Sequence, residues 1–209
     1  IRRGRTVAAT HSQGDKTPRT ERGRKTLRKL LDAAATEFAE KGFHEASISG
    51  ITRSAGVALG TFYTYFDSKD AVFRALVSDM SAGVGKAARE ALDPSMGALE
   101  IERVALRAFL EFAAEHKEIY RIIDEAEFVD PDSYRAHYET IGSRIEERLK
   151  LGGESGEFAP GLGTPEAWAV MGMNVFLGLR YVIWGREGDP DFEEIARRAN
   201  MLLTRGIAS

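Results

Sequence analysis

Residues 56–69, GVALGTFYTYFDSK, decide how the chain is read. Threonine and aromatic residues alternate from 61 to 66, which at first suggests a strand. The flanks point to a helix. Before the stretch, Ser47 can cap a short helix whose buried face is Ile48, Ile51 and Ala55. Gly56 breaks that helix and Val57 packs the turn. A third helix then runs from about Ala58 to Tyr65, and Ser68 caps a fourth. On a helix, Phe62 and Phe66 are i and i+4 and share one face. Thr61, Tyr63, Thr64 and Tyr65 are turned partly or wholly outward. Two short helices joined by Ala-Gly-Val make a helix-turn-helix.

Working outward, the helical period continues on both sides. Leu27, Leu30, Leu31, Ala34, Ala35 and Phe38 form one face of a helix that Gly42 ends, with Phe43 folding back. Val72, Phe73, Leu76 and Val77 line the fourth helix, which Pro94 and Gly97 close. A fifth carries Ile101, Val104, Ala105, Ala108, Phe109, Phe112 and Ala113, and a short sixth covers about 117–127. Pro131 opens a seventh with Tyr134, Tyr138, Ile141, Ile145 and Leu149 on its face. Residues 152–165, GGESGEFAPGLGTP, read as loop. Pro165 starts an eighth helix through about 185, apolar nearly all round, and Pro190 starts the ninth. The expected class is all-α, with about nine helices. Asn174 and Arg180 argue against a membrane span in the eighth. A helix apolar on every face is buried on every face, so the last two helices are read as a homodimer surface.

The net charge of −3 conceals a gradient. Residues 1–29 carry +8, residues 30–75 carry −2 and residues 76–209 carry −9. A basic arm on an acidic body fits a nucleic-acid contact at one end. Arg19, Arg22, Arg24 and Lys25 either enter a minor groove or are simply solvated. The absence of cysteine excludes disulfides, thiolate metal sites and cysteine nucleophiles, and it fits a cytoplasmic protein. The N-terminal stretch has no apolar segment of the signal-peptide kind. His11, His44, His116 and His137 show no ligand spacing, so no metal and no cofactor are expected. Asp124, Glu125 and Glu127 lack a nucleophile or metal set beside them and read as a solvated helix face.

The run from Gly42 to Phe73 resembles the DNA-binding domain of the tetracycline-repressor (TetR) family of bacterial regulators. The matching residues are Gly42-Phe43, Ser47, Ile51, Ala55-Gly56-Val57, Gly60-Thr61-Phe62-Tyr63, Tyr65-Phe66 and Lys69-Asp70. The close likeness covers about residues 27–77. Residues 1–20 have no apolar period and read as a disordered arm; the resemblance implies a DNA-binding domain over 21–67 and an effector-binding and dimerisation domain over 68–209. It also implies a homodimer on a palindromic double-stranded operator, read here as a repressor released by a small lipophilic effector, a fatty acyl or aromatic compound. The reading from another class is a small helical enzyme or lipid carrier with an incidental basic arm.

Carried over by position, Ser47, Ser49, Gly60, Thr61, Tyr63, Tyr65 and Lys69 are the expected DNA contacts. Tyr63 and Lys69 clamp phosphates, while Thr61, Thr64 and Tyr65 reach bases. Leu59 either packs inward or touches a thymine methyl group. Two departures concern the caps. Gly50 stands where an acidic residue usually completes a capping box, and Ala58 replaces a serine cap. For the effector, Phe109, Phe112, Tyr120, Phe128, Tyr134, Tyr138, Trp168, Met171 and Phe176 supply an apolar lining, with Asn174 and Arg180 as polar candidates. Arg180 holds an anionic group or makes a salt bridge at the dimer edge.

Overall fold

The computed structural model describes residues 18–206, leaving out the side chain of Arg205. The expected arm thus lies mostly outside the described residues. Among the described residues nine α-helices follow one another: α1 (Glu21–Glu45), α2 (Ile48–Ala55), α3 (Leu59–Tyr65), α4 (Lys69–Ala91), α5 (Ala98–Glu115), α6 (Glu118–Val129), α7 (Pro131–Ser155), α8 (Thr164–Gly178) and α9 (Phe192–Gly206). A π-helical turn, Leu179–Ile183, extends α8. No strand occurs among the described residues, and no helix there is long and apolar enough to cross a membrane.

Helix starts follow local chemistry. Thr20 caps α1 by accepting from Gly23 N, so α1 begins a turn and a half before the apolar face at Leu27. Ser47 and Ser68 cap α2 and α4 in the same way. Gly42 interrupts α1 at φ 77°, a backbone state glycine reaches without Cβ strain. Three boundaries differ from expectation. The helix α7 runs through residues 152–155 instead of yielding to a loop there, because Gly152 lies flat beneath Phe158 and Ala98, where packing outweighs weak propensity. The eighth helix ends at Gly178 and continues as the π turn. The ninth begins at Phe192, with Asp191 Oδ1 accepting from Glu194 N.

The largest core cluster joins α1, α2, α3, α4 and α6 without a break. Phe38, Phe43 and Phe73 meet at centroid distances of 5.1–5.8 Å at its centre. Each buried ring contributes about 2–3 kcal/mol through apolar burial. A second cluster joins α7, α8 and Phe158, and a third joins α5, the π turn and α9. The helix-turn-helix therefore rests on the same core that anchors α4 and α6.

Candidate nucleic-acid interface and internal chamber

The helix-turn-helix is fixed from beneath. Ile51 and Phe62 are fully buried and Phe66 nearly so. Ser47 Oγ accepts from Gly50 N at 3.0 Å, and Gly56 closes α2 in the left-handed region at φ 66°. The missing capping-box acid is replaced from another helix. Glu37, buried on α1, accepts from Ser47 N at 3.2 Å and from Lys41 Nζ at 2.8 Å. Its carboxylate occupies the space a Cβ at Gly50 would need, so acid and glycine are a matched pair. Burial opposes charge on Glu37, but the Lys41 and Ser47 donors outweigh it and hold its pKa below the ordinary carboxylate value.

The outer face of α3 is open. Leu59 is 51% exposed, and Tyr63 is 48% exposed with its ring edge-on to Phe62. Leu59 therefore does not pack inward. Gly60 and Thr64 are also exposed and Thr61 is half-buried; Ser47 and Ser49 lie exposed beside them, hydroxyls 3.2 Å apart. Beyond its chain neighbours and its own helix backbone, no atom among the described residues lies within 4 Å of where a Cβ at Gly60 would sit, so packing inside the chain does not explain that glycine. Arg22, Arg24 and Lys25 are exposed on the first turn of α1, the last two beside Glu21 at 3.0 and 3.8 Å.

Two expected contacts turn inward. The half-buried Tyr65 donates its hydroxyl to Gly23 O at 3.3 Å, tying α3 to α1. Lys69 Nζ donates to Phe43 O, His44 O and Ala46 O at 2.6, 3.0 and 3.0 Å and lies 4.6 Å from the Phe43 ring centre. An ammonium has three donors, and all three are used. The reason is the kink at Gly42: the carbonyls ending α1 form a negative pole, and the first residue of α4 sits over it. The same turn is held from α6. Glu125 Oε1 accepts from Phe43 N at 2.8 Å, and Arg121 Nη1 donates to Ala39 O. Glu125 is therefore a half-buried tie between body and reading head, and Glu127 is exposed as expected. Asp124 instead borders the smaller internal void, where partial burial and the nearby Glu127 raise its pKa.

Inside the body, a cavity of about 70 Å³ lies between α4, α5, α7 and α8. A smaller void of about 30 Å³ adjoins it, sharing Val84, Phe109, Ile141 and Val175 as walls. Of the expected lining, Phe109, Met171 and Asn174 reach the first space and Phe109, Tyr120 and Tyr138 the second. Tyr134 stacks edge-on against Tyr138, centroids 5.0 Å apart. Burial raises the pKa of both Tyr120 and Tyr138, keeping the phenols neutral. The other candidates stand apart. Phe112 faces an open cleft between α1, α4 and α5. Phe128, Trp168 and Phe176 are exposed, the first and last at 82% and 70%. Arg180 is held by both oxygens of Asp189 at 2.9 and 3.0 Å, so it is an ion pair and not a chamber group.

Sequence reasoning missed Arg144, Arg148 and His137 in these walls. Arg144 and Arg148 stand with Ile141 and Ile145 in an i, i+3, i+4, i+7 row on α7, and charges inside an apolar stripe were the available signal. His137 is buried, lies 2.6 Å from Ser81 Oγ, and has its pKa lowered by burial to about 4. No group of three or more His, Asp or Glu arranged for a metal occurs among the described residues.

Residues 30–76 match the family described as bacterial regulatory proteins, tetR family. Over 105 residues the chain is 32% identical to the HTH-type transcriptional regulator YdgC of Bacillus subtilis, covering 48% of this chain and 54% of YdgC. That match spans about half of the relative's length. With YhgD of the same organism the identity is 25% over 185 residues, covering 86% of this chain and 95% of YhgD. The crystal structure of the transcriptional regulator FadR from Bacillus subtilis, in complex with stearoyl-CoA, superposes with a TM-score of 0.73 at 21% identity, covering 86% and 98% of the two chains. That likeness bears on the fold alone.

Proposed function

Since the chain belongs to the tetR family of bacterial regulatory proteins, we propose that it is a transcriptional repressor that grips a palindromic operator as a homodimer and lets go when a small lipophilic molecule enters the α4–α8 chamber. The observation that carries this reading is the open face of α3 above a fully buried Phe62. A rigid short helix presenting Leu59, Gly60, Thr61, Tyr63 and Thr64 suits a major groove. Ser47, Ser49 and Tyr63 supply hydroxyls for phosphate oxygens. Leu59, Thr61 and Thr64 read base edges, Leu59 by a thymine methyl. Gly60 lets the DNA backbone come close. Arg22, Arg24 and Lys25 add charge at the flank. Tyr65 and Lys69 act indirectly, by holding α3 and α4 on α1.

Dimerisation is supported by apolar side chains that this chain alone leaves exposed: Trp168 and Phe176 on α8, Trp184 after the π turn, and Met201 and Leu202 on α9. The apolar chamber walls favour a lipophilic effector, and the stearoyl-CoA held by the FadR fold is consistent with that class. Release would run through α6, whose Arg121 and Glu125 hold the end of α1. The reading is of a binding protein, not an enzyme, working where the DNA is.

The test is fluorescence anisotropy against fragments of the source genome. Specific binding in the nanomolar range, falling steeply with salt, is expected on a site whose half-sites lie about one or more helical turns apart. Tyr63→Phe should weaken it by about 1 kcal/mol for one lost hydrogen bond. Uniform weak binding to every fragment at moderate salt would end the regulator reading.

A further inference from the structure

The charges lining the chamber do not balance. Arg148 is neutralised: its Nε and Nη2 donate to the two oxygens of Glu102, buried on α5, at 2.6 and 3.0 Å. Arg144, one turn earlier on α7, has no such partner. Its Nη1 is buried without a hydrogen bond, and no carboxylate pairs with Arg144 among the described residues. The guanidinium lies so close to Gly85 of α4 that a Cβ there would collide with it. On the same cavity wall, Asn174 Oδ1 of α8 is also buried and without a hydrogen-bond partner. The other walls include Val84, Phe109, Ile145 and Met171.

A buried donor with no acceptor is costly, and a cation beside apolar walls needs an anion. The geometry points to Arg144 as the anchor for the carboxylate of a small monocarboxylic acid, whose apolar body rests on Phe109 and Met171. The carboxylate accepts from Arg144 Nη1. Asn174, its amide turned by half a rotation, presents Nδ2 in place of Oδ1 and donates to the second oxygen. Asp124 borders only the smaller void, so in the larger cavity one uncompensated cation matches one negative charge. A coenzyme A thioester fits poorly, since it carries several charges on its phosphates and has none at the carbonyl it would bury. The cavity of about 70 Å³ and the adjoining void of about 30 Å³ favour the shortest acids, and longer or ring-bearing ones require the walls to part. The role of this acid as effector rests on the regulator reading above; its anchoring by Arg144 does not.

The test uses the full chain with benzoate, hexanoate and octanoate, the methyl ester of each, and octanoyl-CoA, read by calorimetry and thermal melting. At least one acid should bind about tenfold or more tighter than its own ester. R144M should bring that acid down to the level of the ester while the free protein melts no lower than wild type, because an unpaired charge has left the interior. R144K should retain part of the preference.

Four results would overturn the assignment. These are no binding of any acid up to about 5 mM, esters equal to acids, an acid preference that survives R144M, or octanoyl-CoA binding more tightly than octanoate. If R144M does not fold, the acid and ester comparison on wild type decides alone. Anisotropy on operator DNA separates the two readings. Acid binding by a protein with no specific DNA binding sinks the regulator and leaves the anchor standing. Specific DNA binding that the bound acid does not weaken removes only its role as effector.

Discussion

The reading head and the body solve the problem of buried polar groups differently. In α1–α3, Glu37 and Thr52 are buried and both make hydrogen bonds. Among the described residues, the buried side-chain atoms without partners fall instead one to each of the last five helices: Arg107 on α5, Glu125 on α6, Arg144 on α7, Asn174 on α8 and Asn200 on α9. Large exposed apolar residues divide similarly. Among the described residues, only Leu59 and Tyr63 belong to the head, both on the open face of α3, while seven belong to the body. A satisfied interior has one arrangement, whereas a partly satisfied one waits for something to complete it. The head is therefore built to keep its shape, and the body to respond.

That contrast can be broken most forcefully at Phe62. Phe62→Ala empties the site beneath α3 and should cost about 3–5 kcal/mol, abolishing DNA binding before the body loses its helices. Urea unfolding followed by circular dichroism and anisotropy would check this, and one coincident transition in the variant would show that head and body are not separable. In the body, the next largest effect belongs to His137. Its pKa is about 4 when folded, against about 6.5 in an unfolded chain. Between those values the unfolded chain binds the extra proton, so stability falls as pH drops through the window. The loss should reach about 3 kcal/mol near pH 4. His137→Gln should flatten the urea midpoint over that range; equal slopes for both proteins would remove His137 as the cause.

The sequence carried the helices well because their signals are local. The 3.6 period from Leu27 to Phe38 and the split of Phe62 and Phe66 from their neighbours need no knowledge of distant residues. The side chains that turn inward instead of outward depend on distant partners. A tyrosine hydroxyl or an ammonium suits a phosphate oxygen and a backbone carbonyl alike. The choice for Tyr65 lay with Gly23, and for Lys69 with carbonyls more than 20 residues earlier. Arg144 was hidden for the opposite reason. Its position in an apolar row was visible, but its lack of a partner is a property of the folded chain. Loop 152–165 was misjudged at its start because glycine content suggests a break, whereas Phe158 returns to cover Gly152.

Lys69 gives a prediction of middle size. As the cation over three carbonyls it should contribute about 2 kcal/mol, which Lys69→Met removes. The salt dependence of DNA binding should keep its slope, whereas losing a phosphate contact would lower that slope by about one. Stability unchanged with a reduced slope would return Lys69 to the DNA.

The smallest effect tests whether the head has any slack. Gly50→Ala would improve helix propensity by up to about 1 kcal/mol, less in a first turn. Its Cβ would also displace the Glu37 carboxylate, leaving Ser47 N without its acceptor and costing about 1–2 kcal/mol. The second effect should win, so the single variant is destabilised by about 1 kcal/mol or less. In a Glu37→Ala background the collision is gone and only propensity remains, so Gly50→Ala should become stabilising. Residues in contact couple in this way, and the reversal of sign, read from urea midpoints of the four proteins, isolates the pair. If Gly50→Ala has the same sign in both backgrounds, Glu37 does not serve as the remote half of the α2 cap. The head would then owe its rigidity to its aromatic core alone.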